Sequence, residues 1–156
     1  MPNAAGEGAG VTSPREATIM KHTEGGCLCG AIRFHVTGTP HSSVICHCRT
    51  CRKASAAPSV AWLTFDRENF EVTRGSPRRF ASSPDVVRTF CADCGTPLTY
   101  ASENNPGVID VTTISFDDDS LFPPTQEEWL SHKLAWQAAD VGRIHHVDDP
   151  GTPATA

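Results

Sequence analysis

Residues 32–36 alternate strictly, with Ile32, Phe34 and Val36 apolar and Arg33 and His35 polar. A period of two marks a strand with one buried face. Shorter apolar runs repeat the signal. Val44 and Ile45 lead into Cys46, and Val60, Trp62, Leu63 and Phe65 form the next stretch. Residues 70–73 and 79–80 read as short strands around Gly75 and Pro77. Residues 86–90 enter Cys91 and residues 96–100 leave Cys94, which predicts a hairpin with a cysteine turn at its tip. Residues 108–116 are the longest β-rich run. Helix signals are few. One covers a turn or two over residues 52–57. The other is a short helix through Leu130, capped by Thr125 with Glu128 at the capping-box position. The 12 Gly and 12 Pro suit many short strands joined by turns. The expected fold is mainly β with little helix.

The pattern begins near residue 18 and fades near residue 147, so a single domain over 18–147 is expected. Residues 1–17, rich in Gly, Ala, Pro and Ser, read as a disordered leader, and residues 148–156 as a loose tail. Met20 directly precedes the first patterned segment and is a candidate natural start. The formal charge of -5 argues against a nucleic-acid partner, for which a basic surplus is normal. No apolar run approaches the roughly 18 residues of a membrane span. The first residues carry neither the basic nor the apolar region of a secretory signal. A cytoplasmic, reducing location is therefore expected. There, clustered cysteines more often bind metal or do chemistry than form bridges.

The chain has 7 cysteines, an odd count that rules out a complete set of disulfides within one chain. All fall in tight clusters: Cys27 and Cys29, then Cys46, Cys48 and Cys51, then Cys91 and Cys94. One or two intervening residues let several thiolates meet one ion at about 2.3 Å. Gly30 and Gly95, directly after Cys29 and Cys94, fit tight turns in which backbone amides approach sulfur. Ligand type and turn chemistry favour zinc over an iron–sulfur cluster, a redox pair or bridges. One economical division is four plus three. Cys27, Cys29, Cys91 and Cys94 would close a structural site. Cys46, Cys48 and Cys51 would hold a second ion with one position open, the arrangement of catalytic zinc. Spacing alone also allows Cys27/Cys29 to join Cys46/Cys48.

Three segments together resemble one known family. They are G-G-C-L-C-G-A-I-R-F at 25–34, C-H-C-R-T-C-R-K at 46–53 and T-F-C-A-D-C-G-T-P-L at 89–98. The chain resembles the glutathione-dependent formaldehyde-activating enzymes, a family that includes centromere protein V-like proteins, over about residues 20–136. The resemblance implies a β-tent fold of the Mss4-like kind, made of small antiparallel sheets with cysteine zinc knuckles. It also implies two Zn2+ per chain, divided as above. The implied reaction is reversible addition of glutathione to formaldehyde, giving S-(hydroxymethyl)glutathione. In reverse this is carbon–sulfur lyase chemistry on a small-molecule thiol adduct.

On this reading Cys46, Cys48 and Cys51 form the catalytic zinc site. Arg49, Arg52 and Lys53, in or beside that cluster, are candidates to bind the carboxylates of the thiol. His47, between two ligands, is expected to turn away toward solvent. Trp62 and Trp136 are expected in the core, Arg33 in a structural role, and His145 and His146 at the surface. The rival reading is a non-enzymatic binding module with two structural zincs.

Overall fold

The computed structural model describes residues 22–148. The leader, Met20 and residues 149–156 of the tail lie outside the described residues. In chain order the strands are β1 (His22–Gly26), β2 (Arg33–Thr37), β3 (Ser42–Cys46), β4 (Val60–Asp66), β5 (Phe70–Arg74), β6 (Arg78–Ser83), β7 (Val86–Phe90), β8 (Pro97–Ser102), β9 (Val108–Thr112), β10 (Gln126–Glu128) and β11 (Ile144–His145). A short α-helix, α1 (Arg49–Ser55), follows β3.

Two sheets result. Strands β1, β2 and β5 form a three-stranded antiparallel sheet. The other eight lie in the order β11-β10-β3-β4-β9-β8-β7-β6. From β3 to β6 every pairing is antiparallel, and two parallel pairings, β3 with β10 and β10 with β11, extend that sheet at one end. The expected mainly β fold with little helix is what the chain forms.

The period of two decides which side chains go where. On β2, Phe34 and Val36 point into the space between the sheets. They meet Leu63 and Phe65 of β4, Ile109 and Val111 of β9, and Phe116. Phe116 packs edge-on against Phe34, with ring centroids 5.2 Å apart. Fully burying side chains of this size contributes about 1.5–3 kcal/mol each. This core therefore holds the two sheets together.

The alternate residues of the same strands face the other way. Trp62 and Thr64 of β4, Asp110 of β9, Tyr100 of β8 and Arg88 of β7 line a concave surface on the outer face of the large sheet. Val44, Cys46, Cys51, Val60 and Trp62 form a second buried cluster there, with Cys48, Tyr100 and Trp129 packed against it. One sheet thus serves two purposes, a core on one face and a site on the other.

The expected helix from Thr125 to Leu130 is not formed. Residues 126–128 are the strand β10, and only Leu130–His132 make a 3-10 turn. Parallel pairing with β3 and burial of Glu127, which is 2% exposed, override the local capping signal. Trp136 is 72% exposed, so it is not a core residue, whereas Trp62 is buried as expected. Arg33 does take a structural role, holding Asp117 through two guanidinium nitrogens.

Candidate metal centres

Two loops from different sheets meet at the first cluster. Cys27 and Cys29 lie in the turn between β1 and β2, and Cys91 and Cys94 in the turn between β7 and β8. In the first turn Gly30 N–H donates to Cys27 O at 2.9 Å, and Ile32 N–H donates to Cys27 Sγ at 3.2 Å. In the second, Gly95 N–H donates to Cys91 O at 2.9 Å. Gly30 and Gly95 have φ of 74° and 77°, a left-handed conformation in which a side chain would be strained. Leu28 N–H donates to Thr96 Oγ1 at 3.1 Å and ties one turn to the other. The four sulfurs lie within 4.8 Å of one another. Cys27 and Cys29 are 3.5 Å apart and Cys29 and Cys91 3.7 Å. Four 2.3 Å metal–sulfur bonds in a tetrahedron would put sulfurs about 3.8 Å apart. The donor set fits a closed four-thiolate zinc site.

The second cluster is local. Cys46 ends β3, Cys48 caps α1 and Cys51 lies within α1. Cys51 N–H donates to Cys48 Sγ at 3.2 Å, so the helix cap itself sets the spacing of two sulfurs. All three sulfurs lie within 4.8 Å of one another. Here the donors number three, and Cys46, Cys48 and Cys51 border a cavity of about 710 Å³. The donor set fits one ion that keeps a position for an exchangeable ligand.

Protons are held unevenly in both clusters. The Cys46 and Cys51 thiols stabilise charge on Cys48 and pull it down to about 2, against the effect of its burial. Cys46 is pushed up by the hydrogen bonds it gives to Cys48 and Cys51 and by burial. In the other cluster the Thr96 hydroxyl and backbone amide pull Cys94 down to about 5. Sulfurs this close titrate as a unit, and ligation of a metal displaces the remaining protons.

His47 does not face solvent. It is 1% exposed, and its Nε2 lies 3.0 Å from Glu127 Oε2. Cys46 and Cys48 turn to the cavity while the residue between them anchors the ligand loop to β10. The other Glu127 oxygen accepts from Arg143 Nη1 and from Asp140 N–H, both at 3.0 Å. Burial pushes the Glu127 carboxyl up, but these donors and His47 outweigh it and hold it below the ordinary glutamate value.

Of the three cationic candidates, Arg49 lines the cavity; Arg52 and Lys53 are not among its lining residues. The buried cation in the cavity is Arg88, only 8% exposed. Its Nη2 lies 3.5 Å from Cys51 Sγ, its Nε donates to Ser82 Oγ at 3.2 Å, and it packs over Tyr100 at 4.8 Å. Trp129 and His132, stacked with ring centroids 5.2 Å apart, also line the cavity. Trp129 has φ of 58°, a costly conformation for a bulky residue, held where it borders the site. Reading the sequence missed Arg88, Tyr100 and Asp110. Their signal was a polar residue inside an otherwise apolar strand, as in V-V-R-T-F and V-I-D-V.

Residues 22–132 match the family model described as glutathione-dependent formaldehyde-activating enzyme. A Schizosaccharomyces pombe protein named "Uncharacterized lyase" is 32% identical over 106 residues, covering 63% of this chain and 77% of the relative. A Halomonas elongata protein named "Putative glutathione-dependent formaldehyde-activating enzyme" is 25% identical over 122 residues, 72% of this chain and 78% of the relative. A crystal structure of a Rhodobacter sphaeroides protein shares the fold, with a TM-score of 0.50 and 21% identity. It covers 65% of this chain and 99% of that protein.

Proposed function

The chain belongs to the glutathione-dependent formaldehyde-activating enzyme family, and we propose that it is a zinc-dependent carbon–sulfur lyase acting on the thiol adduct of a small aldehyde such as formaldehyde. The observation that carries this reading is the contrast in donor number beside the cavity. Cys46, Cys48 and Cys51 converge on a cavity of about 710 Å³, a size suited to a small-molecule ligand. Cys46, Cys48 and Cys51 would hold the zinc ion, which would supply a cation at which a thiol loses its proton near neutral pH.

The chain's own residues then do the rest. Arg88, against Cys51, offsets the negative charge of the thiolates and keeps the cavity open to an anionic ligand. Tyr100 and Trp62 give it an apolar wall that excludes water from the reacting sulfur. Arg49, at the exposed start of α1 and on the cavity lining, would meet a carboxylate of the thiol. In the lyase direction the C–S bond breaks, the sulfur keeps the electron pair, and the hydroxyl proton of the adduct leaves as the C=O bond forms.

The test is metal analysis together with exchange NMR of a glutathione–formaldehyde mixture. Two zincs per chain and accelerated exchange are expected. Two zincs without acceleration would leave a two-zinc binding module and reject the reaction.

A further inference from the structure

The floor of the cavity is a polar row laid across five strands. Ser42, Thr64, Asp110, Tyr100 and Arg88 stand opposite one another in register on β3, β4, β9, β8 and β7. All five line the cavity. The row has a direction. Ser42 Oγ donates to Thr64 Oγ1 at 2.8 Å, and Thr64 Oγ1 donates to Asp110 Oδ1 at 2.7 Å. Asp110 is thereby fixed as the final acceptor.

Asp110 makes no ion pair among the described residues. Arg88 is two strands away, about 10 Å at 4.8 Å per strand, and is engaged with Cys51, Ser82 and Tyr100. One cavity thus holds a carboxyl and a guanidinium that do not pair with each other. The carboxyl loses hydration there without gaining a partner of opposite charge, whereas Arg88 has the Cys51 sulfur. Burial pushes Asp110 up from the usual carboxylate range, against the Thr64 hydrogen bond and the field of Arg88. What this carboxyl lacks is a cation, and a ligand can bring one.

We propose that Asp110 determines specificity for the thiol by accepting an ammonium group, so that the preferred substrate carries a protonated amine as well as its sulfur. This rests on the reading of the cavity as a thiol-adduct site. Sulfur goes to the Cys46–Cys48–Cys51 end and the ammonium lies against Asp110, on the polar row. A ligand of this kind restores the missing counter-charge and needs no movement of the sheet. A thiol with a hydroxyl in place of the amine can still donate a hydrogen bond to Asp110 but brings no counter-charge, so the ion-pair part of the interaction is lost.

The test is calorimetric titration of the zinc-loaded protein with ω-aminothiols of two to five carbons and with ω-hydroxythiols of the same lengths. At the best length the aminothiol is expected to bind at least tenfold more tightly than its hydroxyl counterpart. Asp110→Asn, which keeps an acceptor for Thr64, is expected to bring that ratio to within twofold, chiefly by weakening aminothiol binding. A ratio near one at every length in the unaltered protein overturns the proposal, as does a ratio that survives in Asp110→Asn. If no thiol of either series binds the zinc-loaded protein, the thiol-adduct reading itself falls and takes the proposal with it. Circular dichroism and zinc content of Asp110→Asn confirm that the comparison is made on folded, loaded protein.

Discussion

The two cysteine clusters differ in what they tie together. Cys27 and Cys91 come from different sheets and from turns far apart in the chain, whereas Cys46, Cys48 and Cys51 fall within six consecutive residues at the start of α1. An ion in the first cluster closes a long loop and clamps the β1–β2 turn to the β7–β8 turn. An ion in the second fastens nothing that strand β3 and the helix cap do not already position. The first cluster uses four sulfurs. The second stops at three beside a cavity and is steadied from behind by His47 and Glu127. Separation along the chain thus distinguishes a site that, once filled, would make the fold from one that the fold makes.

The hardest blow to this distinction would be equal sensitivity of the two clusters. Cys91→Ser is expected to yield insoluble or unfolded protein. A structural zinc site contributes about 10–16 kcal/mol of apparent binding free energy. That is comparable with the whole net stability of a domain, about 5–15 kcal/mol. Soluble yield and far-ultraviolet circular dichroism measure the outcome. Cys48→Ser is expected to remain folded, to carry one zinc where two are expected in the unaltered protein, and to lose adduct exchange by at least about a hundredfold, in the range of a lost catalytic group. Metal analysis and exchange NMR on the same sample decide it. If Cys48→Ser unfolds as readily as Cys91→Ser, both sites are structural.

That asymmetry was legible only in part: cysteine spacing and the glycines after Cys29 and Cys94 are local, but spacing also allowed Cys27 and Cys29 to join Cys46 and Cys48, and the fold brings them to Cys91 and Cys94. Most strands were legible: the alternation at 32–36 and the hairpin around Cys91 and Cys94 carry their own periodicity. What stayed hidden depended on register. Arg88, Tyr100 and Asp110 stand about 10 residues apart in the chain, and only the pairing of β7, β8 and β9 puts them side by side. The arginines and the lysine near a motif were the visible cations, but the buried cation came from another strand. The stretch 125–130 carried a genuine capping pattern. It became a strand because Glu127 finds His47 and Arg143, partners that no local window contains. His47 was misplaced for the same reason, since its anchor lies 80 residues further on.

A finer probe separates the clusters through their neighbours. Arg88 touches Cys51 and none of the four knuckle cysteines among its described contacts. A hydrogen bond to a charged group is worth about 1.5–3 kcal/mol net. Arg88→Met is therefore expected to weaken metal retention at the three-cysteine site by about ten- to a hundredfold and to leave the other ion in place. Competition with a chelator, read as two separate release steps, measures this. Loss of both ions together would show that Arg88 supports the fold generally and is not specific to the cavity.

The smallest expected effect concerns the support behind the ligand loop, and its sign follows from Glu127. The folded pKa of this carboxyl lies below the ordinary glutamate value, so the ionised form is favoured by the fold. Its contribution is complete above about pH 4.5 and is lost as pH falls through the lower, folded value. Glu127→Gln keeps the shape but gives up the charge that holds Arg143 and His47. At pH 7 a cost of about 1–2 kcal/mol is expected, a fall of a few degrees in melting temperature for a domain of this size. The difference from the unaltered protein should shrink as pH is lowered through and below 4.5, because the native carboxyl then becomes neutral as well. Metal release at acid pH affects both proteins and largely cancels in the comparison. Differential scanning calorimetry of the pair across this range reads the effect. A gap that stays constant with pH would mean that Glu127 supports the loop by packing and not by charge, leaving the three-cysteine site held by β3 and the helix cap alone.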